Sequence, residues 1–230
     1  MKQVSRFERK FILPLEEYYR FRNRVELLMP KDPHTGQDGY RIRSLYFDTL
    51  WDRDYFEKMD GVELRRKLRL RIYDTAADFA LLEMKQKQGD HQRKRSLRIT
   101  REDAEAIAAG DFTPLRAYQG DFAAECIALL NMCAYQPKSI IEYIREAYTA
   151  PENDIRVTFD RDIRATEGNM DIFAPDLPLY PVMDCGQVVL EVKYNGFLVE
   201  YVRELVDAFH RSQTSASKYC MGRLVSYGNY

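Results

Sequence analysis

Residues 65–73 read RRKLRLRIY. Lys67, Arg69 and Arg71 alternate with Leu68, Leu70 and Ile72. A β-strand sends successive side chains to opposite faces, so this segment puts three cations on one face and three aliphatics on the other. Like charges so aligned repel unless water screens them or something negative lies among them. The alternation therefore constrains the fold: the apolar side must be covered, and the charged side must look at solvent or at an anion.

The pattern recurs. Glu8 and Lys10 oppose Phe7, Phe11 and Leu13; Glu83, Lys85 and Lys87 oppose Leu82 and Met84; Lys94, Ser96 and Arg98 oppose Leu97 and Ile99. Tyr143 and Arg145 share a face, Arg156, Thr158 and Asp160 oppose Ile155, Val157 and Phe159, and Glu191 and Lys193 oppose Leu190 and Val192. An ordinary half-wet sheet explains any one of these strands. Their recurrence favours a closed barrel with charged faces turned inward around a polyanion. Phosphate chains suit it, because Arg offers a planar fork and Lys a point charge.

Strands are expected at 6–13, 40–49, 62–74, 78–88, 92–99, 138–149, 154–165 and 186–196, with a turn at Gly89-Asp90. Helices are expected at 15–29, 100–110 and 121–132, and two more at 198–227. The first helix should bury a stripe of Leu15, Tyr18, Tyr19, Arg22, Val25 and Leu28. Thr100 suits an N-cap through the amide of Asp103, and Gly110 suits the exit. Pro175, Pro178 and Pro181 predict a loop over 166–182. DRDYFEKMD (52–60) predicts a solvated surface segment, and Trp51 and the Tyr18-Tyr19 pair predict core or groove filling. The fold class expected is α+β, a closed eight-stranded antiparallel barrel with flanking helices, formed by residues 1–230 as one domain.

Composition narrows function. The formal net charge is -1, which excludes the global basic field of a general nucleic-acid binder; no specific nucleic-acid binding is expected. Cys126, Cys133, Cys185 and Cys220 have no zinc spacing and predict free thiols in a reducing compartment. The start MKQVSRFERK lacks an apolar targeting core, and no run approaches the ~18 apolar residues of a membrane span. A cytoplasmic location is expected, with docking to the inner face of a membrane left open. His34, His91 and His210 are scattered and receive no catalytic role. A carboxylate among the cations either balances charge or holds a divalent ion that bridges phosphate oxygens. Glu191 is the best candidate for the second; for Glu8, Glu83 and Asp160 both readings stand.

RFERKF, SLYFDT, KLRLR, LEMKQK, RVTFDRDI, LEVKYNG and SASKY, in this order, resemble the VTC domain. This is the polyphosphate-polymerase module of the vacuolar transporter chaperone family, within the CYTH or triphosphate tunnel metalloenzyme superfamily. The resemblance implies an eight-stranded tunnel, Mn²⁺ or Mg²⁺ as cofactor, and transfer of the γ-phosphate of ATP onto a polyphosphate chain. It implies that Lys10, Arg69, Arg71, Lys85, Arg145, Arg156 and Lys218 are catalytic phosphate ligands. Tyr143 and Ser217 look like hydrogen-bond donors to phosphate and Glu191 like the metal ligand. Glu8, Lys67, Lys87, Lys94 and Lys193 join the substrate-binding set through their faces. The partners expected are ATP and polyphosphate or triphosphate, with a separate membrane-protein subunit for any translocation. The superfamily's hydrolases and cyclases open with E-x-E-x-K, whereas this chain reads Arg6-Phe7-Glu8-Arg9-Lys10. The missing first glutamate disfavours tripolyphosphate or nucleoside triphosphate hydrolysis, and Glu191 disfavours a non-catalytic polyphosphate-binding module.

Overall fold

A computed structural model of the chain describes residues 6–89, 91–207 and 213–227. Asp90 of the expected turn and His210 lie outside the described residues. The strands are β1 (Arg6–Pro14), β2 (Tyr40–Thr49), β3 (Leu64–Ile72), β4 (Phe79–Gln88), β5 (His91–Thr100), β6 (Tyr135–Ala150), β7 (Ile155–Thr166), β8 (Tyr180–Pro181) and β9 (Gln187–Asn195). The helices are α1 (Leu15–Leu28), α2 (Arg53–Met59), α3 (Arg101–Ala108), α4 (Asp121–Met132), α5 (Glu200–Asp207) and α6 (Lys218–Tyr227). The strands run β1-β9-β7-β6-β2-β3-β4-β5, with β8 beside β7. Among the described residues no pairing joins β1 to β5, so the ladder is open where a closed eight-stranded barrel was expected. The exposed Arg93, Lys94 and Arg98 of the end strand β5 are of the kind that discourages further pairing.

The chain divides into two compact units. The first lies within Met1–Arg41, Tyr143–Ile163 and Met183–Ser217. Its core joins Phe11 and Leu13 of β1, Val157 and Phe159 of β7, and Val188, Leu190 and Val192 of β9 to Tyr18, Phe21 and Val25 of α1 and Val202 and Leu205 of α5. The period of 3.6 places Tyr18, Phe21 and Val25 on one stripe. The expected stripe is thus corrected: Leu15, Tyr19 and Leu28 are exposed, and Phe21 takes their place. Gly39, at φ +87, lets its turn approach the Arg145 carbonyl, which an added Cβ would meet at 2.5 Å.

The second unit lies within Ile42–Glu142, Arg164–Val182 and Lys218–Tyr230. Here Leu68, Leu70 and Ile72 of β3, Leu82 and Met84 of β4 and Ile99 of β5 bury their sides against Ala104 and Ile107 of α3 and Cys126 and Leu130 of α4. The Thr100 hydroxyl accepts from the Asp103 amide at 3.2 Å, as its capping pattern predicts. The proline-bearing loop is held by buried Arg43, whose Nη1 donates to the carbonyls of Ile172 and Ala174. Gly222 of α6 admits Ile141, whose Cδ1 would lie 2.2 Å from an added Cβ.

Two surface expectations are overturned. The segment 52–60 forms α2 and buries Asp54 and Tyr55, because the Asp48 carboxylate accepts the amides of both and anchors the helix inward. Trp51, expected as filler, is 76 % exposed. All four cysteines are free thiols. Among the described residues no helix is long and apolar enough to cross a membrane.

Candidate phosphate-binding faces

The second unit carries the alternation of RRKLRLRIY as predicted. Leu68 and Leu70 are wholly buried, while Lys67 and Arg69 lie half-buried on the other side. Strand register then does what the sequence could not. Lys67 pairs with Lys85, and Lys85 with Lys94, so three ammonium groups share one row across β3, β4 and β5. This fixes Lys94, rather than its neighbours, on the shared face. One row away Tyr46 pairs with Arg69, Arg69 with Glu83 and Glu83 with Ser96. Ser44 pairs with Arg71, and Arg65 with Lys87.

Glu83 is the carboxylate that the guanidiniums of this face share. Arg69 Nε and Nη2 donate to its Oε2 at 2.9 and 2.7 Å, Arg71 Nη1 stands 3.7 Å away, and Lys94 pairs with Oε1. Burial by itself would raise the Glu83 carboxyl, but Arg69 and Arg71, helped by Lys94, outweigh it and hold it at about 2. Glu83 is therefore a counter-ion. Arg69 Nη1 also donates to the Tyr46 hydroxyl at 2.9 Å, and Arg71 Nε to Ser44 Oγ at 3.3 Å. Lys87 is half-buried in the row beyond Lys85, and Lys94 is exposed. Lys218 is buried at the first turn of α6; beside it Tyr219 donates to Asp48 Oδ2 at 2.7 Å and stacks on Tyr46 with centroids 5.1 Å apart.

In the first unit the alternating faces again appear, with more carboxylates. Glu8 pairs in register with Lys193, Lys10 with Glu191, Arg156 with Lys193 and Thr158 with Glu191. Lys10 Nζ lies 2.7 Å from Glu8 Oε1 and 4.0 Å from Glu191 Oε2. Burial opposes the Lys10 ammonium, yet Glu191 and Glu8 prevail and keep it protonated well above the usual lysine range. Lys193 Nζ lies 2.6 Å from Glu191 Oε1. Arg145 clamps Asp160 with two hydrogen bonds of 2.6 and 2.7 Å, and its Nη2 reaches 3.9 Å from Glu191. The Tyr143 ring lies 5.3 Å from the Arg145 guanidinium. Arg156 is paired to Asp32 at 2.9 Å and donates to Tyr40. Ser217 is half-buried after Ala216, whose carbonyl accepts from Lys10.

Among the described residues no group of three or more His, Cys, Asp or Glu could hold a metal ion by itself. The donors nearest to such a role are the Glu191 and Glu8 carboxylates that converge on Lys10, with Thr158 across the register from Glu191. Thr158 Oγ1 is buried with no hydrogen-bond partner. These hard oxygens fit a Mg²⁺- or Mn²⁺-like ion that takes its remaining ligands from phosphate and water.

Sequence reasoning missed Tyr46 and Ser44, which join the second unit's face, and Thr158 as an oxygen donor. Parity placed Thr158 beside Arg156 and Asp160 without giving it a role. Tyr46 was available in SLYFDT by the same parity test, but its opposition to Arg69 depends on register.

Solved structures of low identity share the fold. One is a candidate adenylate cyclase from Bacillus halodurans (TM-score 0.53, 14% identity, 93% of this chain and 95% of that one). Another is the Hippeastrum candidate adenylyl cyclase HpAC1, described as having a dominant triphosphatase activity (TM-score 0.55, 14% identity, 97% and 96%). A third is a candidate adenylate cyclase from Vibrio parahaemolyticus (TM-score 0.52, 16% identity, 96% and 98%). The chain shares its fold with these proteins. The VTC domain family model matches residues 5–227, and the chain belongs to that family. No curated protein matches the chain significantly.

Proposed function

We propose that the chain is a metal-dependent polyphosphate polymerase that moves the γ-phosphate of ATP onto a growing polyphosphate chain. The closed eight-stranded tunnel implied by the family resemblance is part of this proposal. The observation that carries it is the register Lys67–Lys85–Lys94 beside Arg69 and Arg71, which sets cations in successive rows across the strands. A single phosphate needs no such length; a chain of phosphates does. Phosphoryl transfer proceeds through a loose transition state and depends mainly on positioning and charge neutralisation. A face rich in Lys and Arg suits that demand.

In this reading Arg69, Arg71, Lys85 and Lys218, with Lys67, Lys87 and Lys94, bind and align phosphates. Glu83 holds the two guanidiniums in place until phosphate oxygens share them. Lys10, Arg145, Arg156 and Lys193 serve as cationic ligands of the first unit, with Tyr143 and Ser217 as hydrogen-bond donors. Glu191, with Glu8 and Thr158 beside it, would hold Mn²⁺ or Mg²⁺; the ion, when bound, neutralises charge on the transferred phosphoryl group. Transport of product would need a separate membrane-protein subunit, and a cytoplasmic site of action follows from the use of ATP.

The dominant triphosphatase activity described for HpAC1 keeps hydrolysis as a second reading. Incubating the purified protein with ATP and Mn²⁺, and resolving polymer from free phosphate, separates the two. Polymer is the expected product. Phosphate without polymer would establish the hydrolase. Neither product, with polyphosphate still bound, would leave a binding module.

A further inference from the structure

Tyr46 lies on the cation face, brought there by the register that sets it opposite Arg69. It is buried, pairs across β2 and β3 with Arg69, and its oxygen accepts from Arg69 Nη1 at 2.9 Å. Its ring stacks on Tyr219. A phenol has one hydrogen to donate as well as an oxygen to accept. Among the described residues that hydrogen has no acceptor. Glu83, across Arg69 from it, is engaged with Arg69, Arg71 and Lys94. A buried donor without an acceptor is costly, and native proteins seldom leave one. Accepting from Arg69 uses the oxygen and leaves the hydrogen to be placed.

We propose that Tyr46 is a phosphate ligand, its hydroxyl donating to an anionic oxygen held by Arg69, Arg71 and Lys67. The inference rests on the phosphate reading of this face. It adds to that reading a neutral donor that recognises an oxygen where the cations recognise charge.

The surroundings of the phenol give the proposal a second consequence. From β3 it faces Lys67, Arg69 and Arg71; from β4, through Arg69, Glu83; from α6, Tyr219, whose hydroxyl is given to Asp48. Burial pushes the Tyr46 hydroxyl up, but Arg69, Arg71 and Lys67 together bring it down to about 8. Once the proton leaves, a phenolate replaces the donor and competes with phosphate for the same cations. The binding-competent fraction then falls, and apparent affinity should drop about tenfold for each pH unit above that point. By reciprocity, bound phosphate must push the Tyr46 titration upward.

The test is the affinity of the metal-free protein for tripolyphosphate, by calorimetry from about pH 6.5 to 9.5, for wild type and Tyr46→Phe. It is paired with an ultraviolet titration of phenolate absorbance with and without tripolyphosphate. Wild type should bind well up to about pH 8 and then weaken. Tyr46→Phe should bind about tenfold more weakly at pH 7 and show no weakening near pH 8. One tyrosine of the wild type should titrate near pH 8 and move upward with ligand. If wild type binds, but Tyr46→Phe matches it in affinity and pH profile, the assignment of Tyr46 is overturned while the phosphate reading stands. The absorbance titration needs no variant: a tyrosine whose titration ignores saturating tripolyphosphate overturns the assignment even if Tyr46→Phe fails to fold. Failure of the wild type to bind at pH 7 overturns the phosphate reading itself, and this inference with it.

Discussion

The two units carry the same device, a strand face of alternating charge, with opposite accounts of that charge. In the first unit Lys10, Arg145 and Lys193 meet Glu8, Asp160 and Glu191, and each cation has a carboxylate within 2.7 Å. In the second, Lys67, Arg69, Arg71, Lys85, Lys87 and Lys94 share a face with Glu83, which takes Arg69, Arg71 and Lys94 together. Coulomb attraction at these separations is worth several kcal/mol where water is scarce. The first face is thus stabilised from within. On the second, one carboxylate, Glu83, is shared by Arg69, Arg71 and Lys94. Paired carboxylates suit an ion site, and successive rows of cations suit a phosphate chain.

The sharpest way to break the comparison is to remove one clamp. Arg145→Ala strips two charge-assisted hydrogen bonds from the fully buried Asp160, and breaking a buried pair in this way costs about 3–5 kcal/mol. Urea denaturation should show that loss. Arg69→Ala should lose less, because Glu83 keeps Arg71 and Lys94. The parity of the cations suggests that removing Arg69 relieves repulsion; its two hydrogen bonds to Glu83 argue the reverse. Equal losses in the two variants would erase the distinction between the faces.

Next in size is an acid limb. The Glu83 carboxyl is held at about 2, below its usual value near 4.5, so its contribution is complete above 4.5 and is lost as pH falls toward 2. That contribution is about 3 kcal/mol, for a side chain that is almost wholly buried. Glu83→Gln should remove the limb from a plot of stability against pH. It should also enlarge the stabilisation given by tripolyphosphate, since the internal competitor is gone. An unchanged acid limb would show that Glu83 is not the counter-ion described.

On the first face, Glu191→Gln should keep tripolyphosphate binding but lower Mn²⁺-dependent turnover about 100-fold, or about 2.7 kcal/mol of barrier. Full turnover would remove Glu191 from the ion site. The smallest effect expected is that of Lys85→Ala, about tenfold in tripolyphosphate affinity, with a shallower salt dependence and stability within about 0.5 kcal/mol of wild type. A variant that binds normally would take Lys85 out of the row.

What the sequence disclosed and withheld follows from the physics of each feature. Parity along a strand is local, so the faces of Lys67, Arg69, Arg71, Glu191 and Lys193 could be read directly. Register is not local. Neither the Lys67–Lys85–Lys94 row nor the opposition of Tyr46 to Arg69 can be counted from one strand. The Arg145–Asp160 clamp joins residues on two strands and escaped for the same reason. Segment 52–60 misled because its charge suggested solvent, whereas buried Asp48 accepts its amides and draws Asp54 and Tyr55 inward. Trp51 misled in the other direction, since size and apolarity favour burial without ensuring it. Open or closed ends of a sheet are also invisible to parity, which is why the barrel was expected and the open ladder found.

The central claim is that the second unit's face holds a chain of phosphates by successive rows of cations. Calorimetry of the metal-free wild type with phosphate, pyrophosphate and tripolyphosphate, at low and at moderate salt, tests it most directly. Affinity should rise with each added phosphate, and the loss on adding salt should steepen along the same series. Affinity that is flat with chain length, or no binding of tripolyphosphate at low salt, would contradict it.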